Sequence, residues 1–515
     1  MAGAAACHKN RSAGVYPPLV YCLNGYFKMK SEKRFIAFML LTAVVSFLAY
    51  INTISYPFVF NTISLIQENE AIKSLKNIPY FFQKPEPLYS PISTATFAVD
   101  YSLYGLNASG FRITNIILHT IATVLVGIFS LAFLDRKGAV FSALIFAVHP
   151  IHTEAVAGIA GRGEALATIF AIISFKLFLR SGERLSYIAS IFAFLLALAS
   201  SKTSVILPLL LIIYSLYFTD RKAALRVIPH FIISVFYLML YFMLNQGSYL
   251  KDVSLYTHLL TSIKILGIYF KLIFLPIGLN AWYDFPAPDK LLTFWTVFAL
   301  QVFAVILILA FFSYRFSPRI SFIAIFIFLT LIPSIHILPE RVLAKEYYLY
   351  LPSISFSLLV GMLFERIGQK SMRMAGSLFM IPLILFSILV FQRNTVWRDN
   401  FVLIKDIAAK SPESAVIHYN MGVTYDDKGM FNDAIKEYEL SIKLNPQLPD
   451  PYYNIACIYS KQTNVEDALK ALKWALAHGF NPELLKTDPD LDPIRKEPGF
   501  IELVERMKKS GEFYH

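Results

Sequence analysis

The chain changes solvent once along its length. Apolar runs fill residues 35 to 392, and from Ser414 onward a polar helical repeat replaces them. Inside a bilayer the backbone must satisfy its own hydrogen bonds, so runs this long and this apolar read as membrane-crossing helices. The polar repeat then reads as a water-facing module on one side. A chain built this way handles or binds protein at a membrane.

Composition narrows the classes. Of 515 residues, 56% are hydrophobic and only 16% charged, which excludes an ordinary soluble enzyme of this length. The net charge of +12 does not point to nucleic acid, because much of the Lys and Arg lies in short loops between apolar runs, where it sets orientation. Cys7, Cys22 and Cys457 are too few and too scattered for a disulfide framework or a metal-cysteine site. Residues 1–28 carry little signal. Met29 opens Met-Lys-Ser-Glu-Lys-Arg directly before the first apolar run and is a candidate start. That run lacks a small-residue cleavage site and is long enough to span, so it reads as an anchor behind a basic cytoplasmic segment, 1–34.

Spans are expected at 35–54, 114–134, 138–151, 164–180, 185–200, 203–218, 226–244, 291–313, 319–338, 347–364 and 373–392. The segment 259–275 is set apart because Lys264 and Lys271, seven residues apart, share one face, which suits an interfacial helix better than a crossing one. With the basic amino end in the cytoplasm, the loops 135–137, 180–184, 220–226, 315–319 and 365–373 fall on that same side if there are about eleven crossings. The carboxyl end then lies on the trans side: the periplasmic face of a bacterial inner membrane, or the lumen of the endoplasmic reticulum. The loop 53–112, the His149 stretch, Lys202, 276–290 and 338–347 share that face. Polar groups gathered at a membrane edge argue against a transporter, which keeps them near the midplane.

After a linker, 393–413, a 34-residue tetratricopeptide pattern is legible over 414–510. Tyr419, Gly422, Tyr425, Ala434 and Pro446 mark a first copy; Ala456, Tyr459 and Ala468 mark a second, and 484–507 read as a divergent cap. Most of these positions pack helix against helix.

Several motifs together resemble one family, the transmembrane and tetratricopeptide-repeat proteins related to protein O-mannosyltransferases. They are Tyr-Pro-Phe-Val-Phe at 56, Ala98-Val99-Asp100-Tyr101, Thr114-Asn115-Ile116-Ile117-Leu118-His119, His149-Pro150-Ile151-His152-Thr153-Glu154, Gly161-Arg162, Ser201-Lys202, Glu346 with Tyr348-Leu349-Tyr350, and Arg393-Asn394 with Trp397. The resemblance implies an all-α, polytopic body of the GT-C glycosyltransferase fold, about eleven spans plus an interfacial helix, followed by a tetratricopeptide solenoid. It implies transfer of a mannose-like sugar from a polyprenyl-phosphate donor to a protein Ser or Thr, with the repeats binding protein. Membrane lipids, the lipid-linked sugar and a protein acceptor are the expected partners; nucleic acid is not.

Such chemistry needs a carboxylate to take the hydroxyl proton and cations to hold the leaving phosphate. The candidates are Glu154 and Asp100 as acids, Arg162, Lys202 and Lys271 as phosphate ligands, and His149, His152 and Glu154 as a polar cluster able to hold a divalent cation, the one cofactor the pattern admits. Each has an ordinary reading: Asp100 can cap a turn, Arg162, Lys202 and Lys271 can anchor at the interface, the histidine cluster can cap a span, and His119, His230 and His336 can simply pack. Five sites depart from the family pattern. The acid pair after Phe-Val-Phe is Asn61 and Thr62, an Arg is Ser90, a Glu is Thr203, an Asp is Trp282 and an Arg is Tyr347. An amide at 61 cannot act as a base. Glu68, Glu70 and Asp284 are the carboxylates able to compensate. An altered transferase and a catalytically silent scaffold that recruits a partner through its repeats both fit.

Overall fold

The structure, a computed structural model, describes residues 19–83, 90–244, 254–285, 290, 293–335 and 344–510. Cys7, His336 and residues 338–343 lie outside the described residues. Within them there is helix and turn but no strand, only an antiparallel bridge between Tyr283 and Ala344. Helices of eleven residues or more are α1 (Leu19–Leu48), α2 (Pro91–Tyr104), α3 (Ala108–Ser130), α4 (Arg136–Ala147), α5 (Arg162–Phe178), α6 (Arg184–Ser200), α7 (Leu207–Phe218), α8 (Ile228–Leu244), α9 (Leu255–Phe274) and α10 (Phe294–Phe316). They continue with α11 (Pro318–Leu331), α12 (Ser353–Lys370), α13 (Met372–Asn394), α14 (Asn400–Lys410), α15 (Ala415–Asp426), α16 (Phe431–Leu444), α17 (Asp450–Lys461), α18 (Val465–Ala477) and α19 (Pro498–Ser510). The first helix covers Leu19–Leu48 of the described residues, so it is already present before the expected first span and runs straight through Met29.

The helices up to α13 form a bundle with two ends. At one, the short loops meet: Arg136 lies 3.5 Å from Glu32, the Asp135 amide donates to Glu365 at 3.0 Å, and Arg226 donates to Ser181 at 3.1 Å. The repeats sit at the other end. There the Asn394 amide donates to Ala49 O and to Asn52, at 2.9 and 2.8 Å.

The expected count of crossings is not found. Six described helices are long and apolar enough to cross a membrane alone, Glu32–Thr53, Ala108–Ser130, Arg221–Met243, Leu255–Phe274, Phe294–Phe316 and Met372–Arg398. A seventh arises if α4 and Pro150–Val156, bent by 49°, count as one span; Pro150, which lacks an N–H, stands at that break. Arg184–Ser200, Lys202–Phe218 and Pro318–Ser334 are 17 residues or shorter. At ~1.5 Å per residue they fall short of the ~30 Å hydrocarbon layer. α12 ends on Glu365, Arg366 and Lys370. The second correction concerns α9, set apart above, which passes the same test of length and apolarity. Its apolar side packs along α10 and α11, while two of its polar side chains reach the repeat end: Lys264 lies 3.9 Å from the Phe285 ring centroid, and the Tyr269 hydroxyl donates to Lys345 O at 3.0 Å.

The repeats are fastened to the body. Lys410 donates to Leu279 O at 2.7 Å, Ser411 to Trp282 O at 2.9 Å, and Ser414 to Asp284 at 2.6 Å. Beneath them Val59, Ala281 and Trp397 from the body pack with Leu403, Ile407 and Ile417. Within the first repeat, Gly422 is required by contact, since a Cβ there would come within 2.4 Å of the Tyr438 ring.

Candidate functional site

Four consecutive residues, Gly161 to Glu164, open α5 and build two different buried polar clusters. Arg162 turns towards α2 and α3. It lies 2.6 Å from Asp100 Oδ2 and donates to Asn115 Oδ1 at 2.5 Å, Phe111 O at 2.9 Å and Thr96 Oγ1 at 3.4 Å. Its guanidinium also stands over the Phe97 ring, 4.4 Å from the centroid. Asp100 takes the Thr114 hydroxyl at 2.8 Å on its other oxygen. Both charges are buried. Each of the three Arg162 guanidinium nitrogens is hydrogen-bonded within the protein, which leaves it no face for substrate.

Glu164 turns the other way, towards the Ser201–Thr203 turn. Its Oε1 accepts from the Ser201 hydroxyl and its Oε2 from the Thr203 hydroxyl, the latter at 2.7 Å. Between these two residues stands Lys202, with Nζ 5.0 Å from the Tyr348 ring centroid. The glycines make room. A Cβ on Gly163 would meet Ser200 O at 2.6 Å, and one on Gly161 would meet Tyr347 Cβ at 2.8 Å. A cavity of about 60 Å³ results, lined by Glu164, Lys202, Ser90 and Ser93 and walled by Tyr237, Tyr241, Tyr347 and Tyr348. A second cavity, between α10, α11 and α12, is lined by Val302, Leu309, Ile323, Phe356 and other apolar groups with Ser355, and suits hydrocarbon.

Behind Tyr347 lies a pair of acids. Glu154 accepts from the Tyr347 amide at 3.0 Å. Glu346 accepts from the Asn280 amide and, at 2.7 Å, from the Tyr283 hydroxyl. Burial pushes the Glu346 carboxyl above its usual range, opposed by the Arg393 charge and by these hydrogen bonds. Arg393 in turn holds Asp406 of α14 at 2.6 Å, so the acids sit where body and repeats join.

The structure therefore divides the sequence candidates. Lys202 lines the cavity and Glu154 stands one residue behind its wall. Asp100 and Arg162 are joined to each other instead. Lys271 donates to Ile277 O and does not line the cavity, though it lies within electrostatic reach of Glu346. The proposed cation cluster is not assembled: among the described residues no group of three His, Cys, Asp or Glu is placed to hold a metal. His149 donates to Ile273 O at 3.0 Å and accepts from the Ile151 amide, while His152 bonds Ser353 at 2.9 Å, so the rings point into separate helix contacts. His119 bonds Tyr350 at 2.6 Å and His230 bonds Ser190 at 3.1 Å.

The departures from the family pattern also sort in space. Ser90 and Tyr347 line the cavity, and Thr203 bonds Glu164 beside it. Asn61 and Trp282 belong to the junction. Asn61 is exposed, and Thr62 is turned inward onto Val59. Phe60 has a left-handed backbone, φ 52°, donates its amide to Asn400 at 3.0 Å and meets Trp282 edge to face. Of the compensating carboxylates, Asp284 accepts from Ser414 and Glu70 pairs with Lys73; Glu68 is exposed.

Sequence reasoning missed two residues. Glu164 follows a motif whose Arg drew the attention. Arg112, fully buried, donates to Tyr56 O at 2.9 Å, Pro57 O at 2.5 Å and Ala157 O, and so fixes the long loop to the body. An arginine at the head of an apolar span was the available signal.

Fold and site together define an integral membrane protein with a helical body and a carboxyl-terminal tetratricopeptide unit. A tetratricopeptide-repeat family model matches residues 415–448. Along most of its length the chain resembles the transmembrane and tetratricopeptide-repeat proteins related to protein O-mannosyltransferases. It is 27% identical over 457 residues to the protein O-mannosyl-transferase F38B6.6 of Caenorhabditis elegans, covering 81% of this chain and 64% of that one. It is 23% identical over 500 residues to the protein O-mannosyl-transferase TMTC3 of Homo sapiens, covering 85% and 54%. The chain thus spans between half and two-thirds of the length of these relatives. Among solved structures, the crystal structure of ArnT from Cupriavidus metallidurans bound to undecaprenyl phosphate aligns with 92% of this chain and 90% of that one, at 14% identity and a TM-score of 0.40.

Proposed function

We propose that the protein is a membrane glycosyltransferase that moves a mannose-like sugar from a polyprenyl-phosphate donor to a Ser or Thr hydroxyl of a protein. The cavity beside Lys202 takes the donor phosphate, and the repeats present the acceptor. In the transfer, the acceptor oxygen bonds to the anomeric carbon, the bond from that carbon to the phosphate oxygen breaks, and the acceptor proton passes to a carboxylate. Glu154, which is 7% exposed, is the acid assigned to that proton. Lys202 stabilises the charge that builds on the departing phosphate. Basic loops at the far end support, through the positive-inside bias, a periplasmic or luminal position for the repeats.

One observation carries this reading above others: Lys202 lines a partly open, tyrosine-walled cavity at the repeat end of a membrane bundle, and Glu154 stands behind the Tyr347 wall of that cavity. The names of the relatives point the same way. A second reading, a silent scaffold that recruits a protein, is favoured by Trp282, which is packed into the junction where the resemblance expects an acid.

The test is transfer of labelled sugar from polyprenyl-phosphate donors to protein, in membranes that hold the chain. Transfer that is lost in Lys202→Ala supports the enzyme. Absence of transfer with every donor, and its appearance once Asn61 and Thr62 are both changed to Asp, would establish the scaffold reading.

A further inference from the structure

We propose that Glu164 is the positioning residue of the cavity: its carboxylate holds the turn on both sides of Lys202, so that the lysine meets the anionic headgroup of the lipid donor. This inference rests on the proposed function above.

The geometry is a closed clamp. Ser201 precedes Lys202 and Thr203 follows it, and each gives its hydroxyl hydrogen to a different oxygen of Glu164. The Ser201 oxygen is itself the cap of the helical turn Lys202–Ile206, accepting from the Thr203 amide at 3.2 Å and standing 3.1 Å from the Thr203 hydroxyl. The backbone at Lys202 is thereby pinned by two side-chain bonds that converge on one carboxylate, itself 3% exposed. Gly163, next to Glu164, lets α5 close onto Ser200 O. A lysine is a point charge on a long flexible stem, so its usefulness for an anion depends on where its backbone is held. With a hydroxyl donor already on each oxygen, Glu164 is poorly placed to take a proton from an acceptor; its role is to hold rather than to react. The resemblance expects a carboxylate at 203. In this chain the carboxylate comes from α5 instead, and the Thr203 hydroxyl reaches it.

The test is binding of a polyprenyl phosphate without sugar to the full chain in detergent, followed by native mass spectrometry, for wild type, Lys202→Ala, Glu164→Gln, Thr203→Val and Thr203→Ser. Thr203→Val removes one clamp hydroxyl at nearly constant volume and so tests the clamp even if Glu164→Gln does not fold. The expected result is near loss of binding in Lys202→Ala, about tenfold weaker binding in Thr203→Val, and recovery in Thr203→Ser. Where transfer is measurable, Thr203→Val raises the KM for donor and leaves the KM for acceptor unchanged. Wild-type affinity in Thr203→Val together with loss in Lys202→Ala would overturn the clamp and leave the proposed function standing. Equal binding in wild type and Lys202→Ala would overturn both.

Discussion

Arg162 and Glu164 sit two residues apart at the head of one helix and end up in opposite kinds of cluster. Arg162 is surrounded: its guanidinium bonds Asp100, Asn115, Phe111 O and Thr96 and lies on Phe97. Glu164 borders open space and holds a turn whose lysine faces a cavity. Both are buried charges, so burial alone does not mark function. What separates them is whether the cluster closes on itself or leaves a charge beside room for a ligand.

The sharpest way to break this comparison is to remove each cation. Arg162→Met leaves Asp100 buried without its partner and should cost about 3–5 kcal/mol, read as a large drop in thermal unfolding temperature of the purified chain. Lys202→Met gives up its contact with the Tyr348 ring among others and should abolish sugar transfer at a smaller cost in stability than Arg162→Met. If both variants lose stability equally, the two clusters are of one kind.

Gly163→Ala tests how the two are kept apart. The new Cβ would meet Ser200 O at 2.6 Å, and overpacking of this sort costs about 1–3 kcal/mol. Because Ser200 leads into the clamp, donor affinity should fall together with stability.

Asn400→Ala probes the junction. It removes the acceptor for the Phe60 amide, which holds a left-handed residue next to Asn61. About 1 kcal/mol is expected, with faster proteolysis between α13 and α15. Unchanged cleavage would mean that apolar packing alone docks the repeats.

The smallest effect is one of pH. The bond to Glu437 raises the His418 pKa above its usual value, against the opposing effect of burial. A raised folded-state pKa gives stability that is fully present below the unfolded value and is lost as pH rises through the folded one. Unfolding of the repeats followed by circular dichroism should therefore show slightly lower stability above that range, and His418→Gln should flatten the dependence.

Much of this organisation was legible in the sequence. The switch of solvent at Ser414 and the packing residues of the repeats are local patterns, since Gly422 must be small wherever a neighbouring helix brings Tyr438 against it. The count of crossings was not legible. Several apolar runs end early in turns such as Ser201–Thr203 or break at Pro150, and an apolar run does not reveal where its helix stops. Arg162 and Lys202 looked equivalent as interfacial cations. Only their partners separate them, and those partners, on α2 and α3 for Arg162 and at Tyr348 for Lys202, are far off in sequence. The histidines of 149–152 have metal-like spacing, but their rings diverge into bonds with Ile273 and Ser353.

The central claim is that the headgroup of a lipid-linked donor rests against Lys202. A polyprenyl phosphate carrying a photoreactive group beside its phosphate, crosslinked in membranes and mapped by mass spectrometry, tests it directly. The account predicts label on Ser200–Lys202 and on Tyr347 or Tyr348, lost in Lys202→Ala. Label around Asp100 and Arg162, or spread along the bundle irrespective of Lys202, would contradict it.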